Sequence, residues 1–316
     1  MKKSNYNFFF PLEDGNYLAF NALKNGLAVI DVELVKAVEK LEPGEIPGLE
    51  DEMVKELARG GFICEDDFDK YGLLTIRRHT QQYAGGSLGL TIAPTLSCNL
   101  DCRYCFENPG KEIMNETVIK GLTDFIKGYM ESGIKHFDAT WYGGEPLQCM
   151  DIIERLSREF IAIASEYKVH YSAYIITNGT LFTRSTAERL KELQVRGAQV
   201  TIDGPREIHD ERRPYYGGAG SFDHIFTNLK EAVGVIPISL RTNVDTLNVK
   251  EVLKFYRELE AEAWFGQNLG KMLNVHYGYV RKFNSSCKCS KEENLKAGDF
   301  YKCQLDIQQG KNTIPG

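Results

Sequence analysis

Three cysteines fall within one short run, Ser97-Cys98-Asn99-Leu100-Asp101-Cys102-Arg103-Tyr104-Cys105-Phe106. Three thiolates on one loop fill only three corners of a metal site, whereas structural zinc sites and ordinary iron–sulfur clusters take four protein ligands. With no fourth cysteine nearby, the Cys-x3-Cys-x2-Cys spacing suits a 4Fe-4S cluster that keeps one iron open to a small chelating ligand. A zinc knuckle or a disulfide staple is the alternative use of the same thiols.

A second constellation, with its first glycine 38 residues after Cys105, is Thr140-Trp141-Tyr142-Gly143-Gly144-Glu145-Pro146-Leu147. It follows an alternating apolar stretch (Ile134, Phe137, Ala139, Trp141), which predicts a strand with two glycines and a carboxylate at its C-terminal end. Glycine lets a ligand approach the backbone, and exposed carbonyls with a carboxylate accept hydrogen bonds from an ammonium group. A Gly-Gly pair after a strand is, taken alone, a turn.

The two together resemble the radical S-adenosylmethionine (radical SAM) enzymes, in the cysteine spacing, in the aromatic Tyr104 just before the third cysteine, and in Gly143-Gly144-Glu145-Pro146. The resemblance implies that Cys98, Cys102 and Cys105 hold a 4Fe-4S cluster whose open iron is chelated by S-adenosylmethionine. It further implies that Gly143, Gly144, Glu145 and Pro146 hold the methionyl amino group and that Tyr104 packs by the adenine. Reductive cleavage then yields a 5'-deoxyadenosyl radical that abstracts hydrogen from the substrate, with an electron donor such as flavodoxin or ferredoxin.

These residues need a frame. Beyond the polar, glycine-containing stretch Gln81 to Ser87, strands are predicted at Leu88–Ala93, Lys135–Trp141, His170–Thr177, Ala198–Ile202, Ile236–Asn243 and Leu273–Val280. Helices fall between them near Glu116–Met130, Ile152–Tyr167, Ser185–Gln194, Phe222–Val233 and Val249–Ala261. Repeated strand–helix units force a mostly parallel sheet with right-handed crossovers, an α/β open (β/α)6 partial TIM barrel. Chemistry in such barrels sits on the loops at the C-terminal strand ends, where both constellations lie. The later strand ends add polar groups: Thr177-Asn178-Gly179, Asp203-Gly204 and Arg241-Thr242-Asn243. By the resemblance, Thr177, Asn178, Arg241 and Asn243 contact the ribose and carboxylate of S-adenosylmethionine, and Asp203 faces the substrate or the ribose as the catalytic candidate.

Residues 1–85 read as a separate α+β module. Short strands at Tyr6–Pro11, Asn16–Asn21 and Gly26–Ile30 are joined by Asp14-Gly15 and Asn25-Gly26 turns, and helices are predicted near Val32–Leu41 and Glu52–Arg59. The order resembles the winged-helix-like peptide-recognition domains at the front of peptide-modifying radical SAM enzymes. The run Asp203 to Pro214 with Gly217 to Phe222 resembles the SPASM-type maturases, a group that includes anaerobic sulfatase maturases and maturases of ribosomally made peptides. The two acids and two arginines of Asp210-Glu211-Arg212-Arg213 are expected to form a lid or docking surface.

That group carries many more cysteines beyond the barrel than Cys287, Cys289 and Cys303 in residues 281–316. Complete auxiliary clusters are therefore not expected, the C-terminal cluster domain is read as truncated, and about four irons per chain are expected. The expected partition is 1–85, a barrel over 86–280, and an incomplete cysteine-rich region over 281–316.

At 316 residues the chain is long enough for one large domain and a smaller one, and its net charge of −6 offers no basic field for nucleic acid. No apolar run reaches a membrane-spanning length, and the start Met1-Lys2-Lys3 leads into Phe8-Phe9-Phe10 without a cleavage-site pattern. A cytoplasmic, oxygen-sensitive enzyme is expected, with thiolate ligands kept in a reducing compartment. It acts on a precursor peptide through hydrogen abstraction, giving a thioether, a carbon–carbon crosslink or a related change. A sulfatase-maturing enzyme and a catalytically silent peptide-binding fragment are the rivals.

Overall fold

The computed structural model describes residues 1–45, 48–83, 86–107, 110–281, 287–288, 295–296 and 298–300, with the backbone alone for 81–83. The chain divides into two compact units, Met1–Ala84 and Gly85–Gly316.

In the first unit, β1 (Lys2–Lys3) pairs antiparallel with β5 (Ile63–Cys64), and a three-stranded antiparallel sheet is formed by β2 (Asn7–Pro11), β3 (Tyr17–Asn21) and β4 (Gly26–Ile30). Helices α1 (Val32–Lys40), α2 (Asp51–Gly60) and α3 (Lys70–Tyr83) complete it. The Asp31 carboxylate accepts the Leu34 amide to start α1, and Gly61 takes the left-handed conformation (φ 81°) that ends α2. Period-2 alternation puts Ala19 and Ile30 of the sheet in a small core with Val35, Val38, Leu57 and Phe62. Helix α3 is absent from the sequence expectation, because its apolar residues Leu73, Leu74 and Ile76 sit among polar ones without a cap signal.

The second unit is built on six parallel strands in chain order: β6 (Ser87–Ile92), β7 (His136–Trp141), β8 (His170–Thr177), β9 (Val195–Thr201), β10 (Ile238–Val244) and β11 (Leu273–Tyr279). The intervening helices are α4 (Glu116–Glu131), α5 (Met150–Tyr167), α6 (Arg184–Glu192), α7 (Arg206–Arg212), α8 (Phe222–Ala232), α9 (Val249–Glu260) and α10 (Ala263–Gly266). Among the described residues, β6 and β11 pair with one neighbour each, which leaves the sheet open there. Strand order equal to chain order is what successive right-handed crossovers produce. Side chains of Asn115 and Thr183 cap α4 and α6 by accepting from Val118 and Thr186 amides.

The core between sheet and helices is aromatic at its centre. Phe137 of β7 and Tyr171 of β8 pack against Phe160 of α5, at ring separations of 5.3 and 6.1 Å, and Trp141 stacks on the same ring. The opposite faces of β9 and β10 are polar. Gln199 and Thr201 alternate with buried Ala198 and Val200, and Arg241 and Asn243 alternate with buried Leu240 and Thr242. The register places Thr201 beside Arg241 and Asn243 beside Gly278 of β11. A Cβ on Gly278 would come within 2.6 Å of both the Arg241 guanidinium and the Asn243 amide oxygen, so glycine there makes room for the pair. Among the described residues, no helix is long and apolar enough to cross a membrane.

Candidate active site at the C-terminal strand ends

The cysteine loop follows β6 and is fixed from three directions by backbone hydrogen bonds. Gly144 and Glu145 amides donate to the carbonyls of Thr95 and Ser97 at 3.2 and 2.8 Å. The Asp101 and Arg103 amides donate to Pro214 and Arg212 carbonyls at 2.8 and 3.0 Å. At the end of β8, the Asn178 side-chain amide donates to Asn99 Oδ1 at 2.7 Å and to the Cys98 sulfur at 3.8 Å, while Asn99 reaches Thr180 Oγ1 at 2.8 Å.

Gly143 has φ +114°, and a Cβ on it would lie 2.4 Å from the Thr95 carbonyl oxygen; on Gly144 it would lie 2.2 Å from that of Ser97. The two glycines thus press the turn after β7 directly onto the cysteine loop, a close approach no larger residue permits. Ligand access is a second use of the same surface, since both glycines also line a cavity of about 480 Å³. That volume suits a nucleoside-sized ligand.

Cys98, Cys102, Cys105, Tyr104, Thr177, Asn178, Arg241 and Asn243 line this cavity as well. Three residues of the sequence reading stand elsewhere. Glu145 and Pro146 are buried behind the wall: Glu145 is 0% exposed, and its carboxylate accepts from Thr177 Oγ1 (2.7 Å), the Asn178 amide (2.7 Å) and the Leu147 amide (3.0 Å). Asp203 is also fully buried, accepting from the Asn243 amide at 2.9 Å and facing Arg212 Nε at 3.3 Å, so it does not present a carboxylate to the cavity. The expected lid is likewise inverted. Residues 206–212 form α7, and Arg212 and Arg213 point inward, 2% and 6% exposed, because Asp203 and Asp245 sit beneath them to receive Arg212.

The cavity also takes in Tyr142, Gln199, Thr201, Arg213 and Tyr279, which sequence reasoning did not single out. The strand alternation carried the signal for Gln199 and Thr201, which share their parity with Arg241 and Asn243. Arg213 carried no such signal, since it lies outside the strands and reads with Arg212 as part of a lid. Cys287 is buried and packs with Val280 against Tyr104; Cys289 and Cys303 lie outside the described residues.

Burial pushes the thiols of Cys98, Cys102 and Cys105 up, Cys102 to about 12, with the Arg213 cation opposing it. Burial also raises Glu145, partly offset by its three donors. It would raise Asp203 too, but Arg212, Arg213 and His209 outweigh it and hold that carboxyl below its usual range. His209 is pushed down to about 3 by burial and the Arg213 charge.

His209 therefore stays neutral when folded, while the unfolded chain binds its proton below about pH 6.5. The unfolded state binds more protons between about pH 6.5 and 3, so His209 makes stability fall on acidification through that window. Glu145 acts oppositely above its ordinary value, because its raised folded pKa favours protonation of the native state. Thermal melts from pH 7 to 5 are expected to show acid destabilisation that flattens in His209→Gln. An equally steep decline in that variant would remove His209 as its source.

Among the described residues, no three of His, Cys, Asp and Glu are arranged to hold a single metal ion. A zinc knuckle needs its sulfurs gathered around one ion at about 2.3 Å. A 4Fe-4S cluster instead presents a separate iron to each thiolate, and the three cysteines share the lining of one cavity, as it requires.

Residues 92–259 match the Radical SAM superfamily. The chain is 23% identical to the radical SAM cyclopropyl synthase TigE of Paramaledivibacter caminithermalis, over 86% of this chain and 63% of TigE. It is 34% identical to a cysteine-type anaerobic sulfatase-maturating enzyme of Clostridium novyi, over 46% of this chain and 40% of that enzyme. It also resembles the solved structure of native anSMEcpe with bound AdoMet and Cp18Cys peptide. There the TM-score is 0.57 and the identity 22%, over 72% of this chain and 62% of that one, a likeness of fold. The chain thus spans about 40 to 63% of the length of these proteins.

Proposed function

Because the chain belongs to the radical SAM superfamily, whose members use a 4Fe-4S cluster and S-adenosylmethionine, we propose that it modifies a ribosomally synthesised peptide at the cavity described above. The observation that carries the reading is the convergence of Cys98, Cys102, Cys105, Gly143 and Gly144 on one cavity of about 480 Å³. Bound together, the two cofactors supply hydrogen-atom abstraction from an unactivated carbon.

The chain's own residues divide the work. Cys98, Cys102 and Cys105 would hold the cluster, releasing their protons as iron binds, since burial keeps the thiols protonated without it. Gly143 and Gly144 bring backbone to the wall for the amino group of S-adenosylmethionine. Thr177, Asn178, Arg241 and Asn243 offer donors and acceptors to its ribose and carboxylate, and Tyr104 an aromatic face to its adenine. Arg241 is held for this by its Nε bond to Asn243 Oδ1 at 2.9 Å. Glu145 acts one layer back as a positioning residue. Asp203 acts the same way, through Asn243 and Arg212.

The first unit is read as the winged-helix-like peptide-recognition module, with a peptide adding as a strand to a free edge, β2 or β4, of its three-stranded sheet. The anSMEcpe structure, whose fold this chain resembles, holds a bound peptide, in line with a peptide substrate here. Deleting residues 1–84 is expected to weaken precursor-peptide affinity at least about tenfold while S-adenosylmethionine cleavage continues. Unchanged affinity would reduce the first unit to a structural role.

The relative from Clostridium novyi, at 34% identity, favours sulfatase maturation as the second reading. Incubating the anaerobically reconstituted chain with precursor peptides encoded nearby and with sulfatase-derived cysteine peptides separates the two. Loss of hydrogen from the former by mass spectrometry supports the first reading. Aldehyde formation in the latter alone would replace it.

A further inference from the structure

We infer that Arg213 is the buried counter-charge of the cluster held by Cys98, Cys102 and Cys105, placed to favour that cluster's reduction. The inference rests on the cofactor assignment proposed above and adds a residue to it.

Register is the first argument. The Asp101 and Arg103 amides donate to Pro214 and Arg212 carbonyls, and Leu100 bridges Tyr215 in the antiparallel sense. The segments therefore run antiparallel with Cys102 directly opposite Arg213, at a pair flanked by hydrogen bonds rather than making them. Side chains of such a pair project to the same side and lie closest together. Pro214 has no N–H to return, and the Arg213 amide is spent on the His209 carbonyl at 2.8 Å. Ser221 Oγ holds the Arg213 carbonyl at 2.6 Å. The backbone that aims Arg213 is thus tied at both ends.

Charge is the second. Arg212, the neighbouring cation, is buried against two carboxylates, Asp203 at 3.3 Å and Asp245 at 2.7 Å. Arg213 is almost as buried, at 6% exposed, yet among the described residues no carboxylate lies within ion-pair distance of it. Its Nη1 donates to Tyr104 Oη at 2.6 Å, and its Nε is buried with no acceptor among the described residues. The Asp203 carboxylate feels the Arg213 charge without touching it, and a buried cation with no anion in contact is a heavy cost to a fold. An anion in direct contact is left to the cysteine loop, where Cys102 stands opposite Arg213.

Three thiolates on an oxidised 4Fe-4S core of charge 2+ sum to −1, and one electron from a one-electron donor makes that −2 with no proton transferred. A fixed positive charge interacts more favourably with the second state, so it shifts the reduction equilibrium toward it. Removing it makes reduction harder without removing a ligand.

The test is a redox titration followed by electron paramagnetic resonance on the anaerobically reconstituted full chain, with dithionite as reductant. Arg213→Met is expected to keep its iron and to make reduction about tenfold less favourable, a shift of about 59 mV to more negative potential for one electron. Arg213→Lys, which keeps the charge, should recover most of it. An unchanged midpoint at full iron in Arg213→Met overturns the inference. So does an unchanged midpoint with weakened S-adenosylmethionine binding, which would give Arg213 to the ligand's carboxylate instead. The iron-free proteins supply a readout independent of the cluster. Arg213→Met should melt close to the parent, because removing a buried charge with no contacting anion offsets the lost Tyr104 hydrogen bond, and a clear drop would make Arg213 a structural pin and overturn the inference. Parent chain that takes up no iron at all would overturn the cofactor assignment itself, before any Arg213 variant is compared.

Discussion

Replacing Cys98, Cys102 and Cys105 together by Ala is expected to take iron from about four per chain to none, and reductive cleavage of S-adenosylmethionine to background. The broad absorbance at about 400 nm should vanish with it. Each single replacement should do nearly as much, because two thiolates leave two corners of the cluster to solvent. The fold is expected to survive. All three side chains are only partly buried, the loop is held by backbone bonds to Gly144, Glu145, Arg212 and Pro214, and the aromatic core around Phe160 lies elsewhere. Iron analysis and product assay on the iron-free and reconstituted triple variant check this. Full iron, stoichiometric zinc in the parent, or continued cleavage in the variant would sink the assignment of these thiols.

The barrel strands were legible because their apolar runs are bounded by turns and each lies within a few residues of its predicted limits. His170–Thr177 matches β8 residue for residue. The residues that line the cavity were legible where a strand's alternation or a glycine turn exposes them, as with Arg241, Asn243, Gly143 and Gly144. What sequence could not give was direction at residues whose partners are far along the chain. Asp203 and Glu145 look like groups offered to a ligand, yet each is turned inward by donors from elsewhere: Arg212 and Asn243 for the one, Thr177, Asn178 and Leu147 for the other. Arg212 and Arg213 read as part of a lid or docking surface for the same reason, since the carboxylate of Asp245 lies 33 positions beyond Arg212. Short helix α7 was missed because seven residues give too few turns for periodicity to register.

Glu145 joins these observations to function, and its removal should be felt in both stability and binding. Its carboxylate satisfies three donors at once, in a place with no water access: the Leu147 amide, the Thr177 hydroxyl and the Asn178 amide. Glu145→Ala strands all three, and a stranded buried donor costs about 1–3 kcal/mol. The Thr177 hydroxyl can turn to a new acceptor but the two amides cannot, so a loss of about 2–5 kcal/mol is expected, a large share of a typical domain's stability. Glu145→Gln keeps one acceptor oxygen and removes the cost of burying a charge, but sets an NH2 group against one of the donors. Its melting temperature should fall between the other two. Thr177 and Asn178 line the cavity, and Asn178 also holds Asn99 and the Cys98 sulfur, so the displaced wall should weaken S-adenosylmethionine binding in step with stability. Calorimetric melts and equilibrium binding on the parent, Glu145→Gln and Glu145→Ala chains test the order. If Glu145→Gln lost affinity at an unchanged melting temperature, the carboxylate would be touching the ligand directly, and its place behind the cavity wall would not be the one it holds in the working protein.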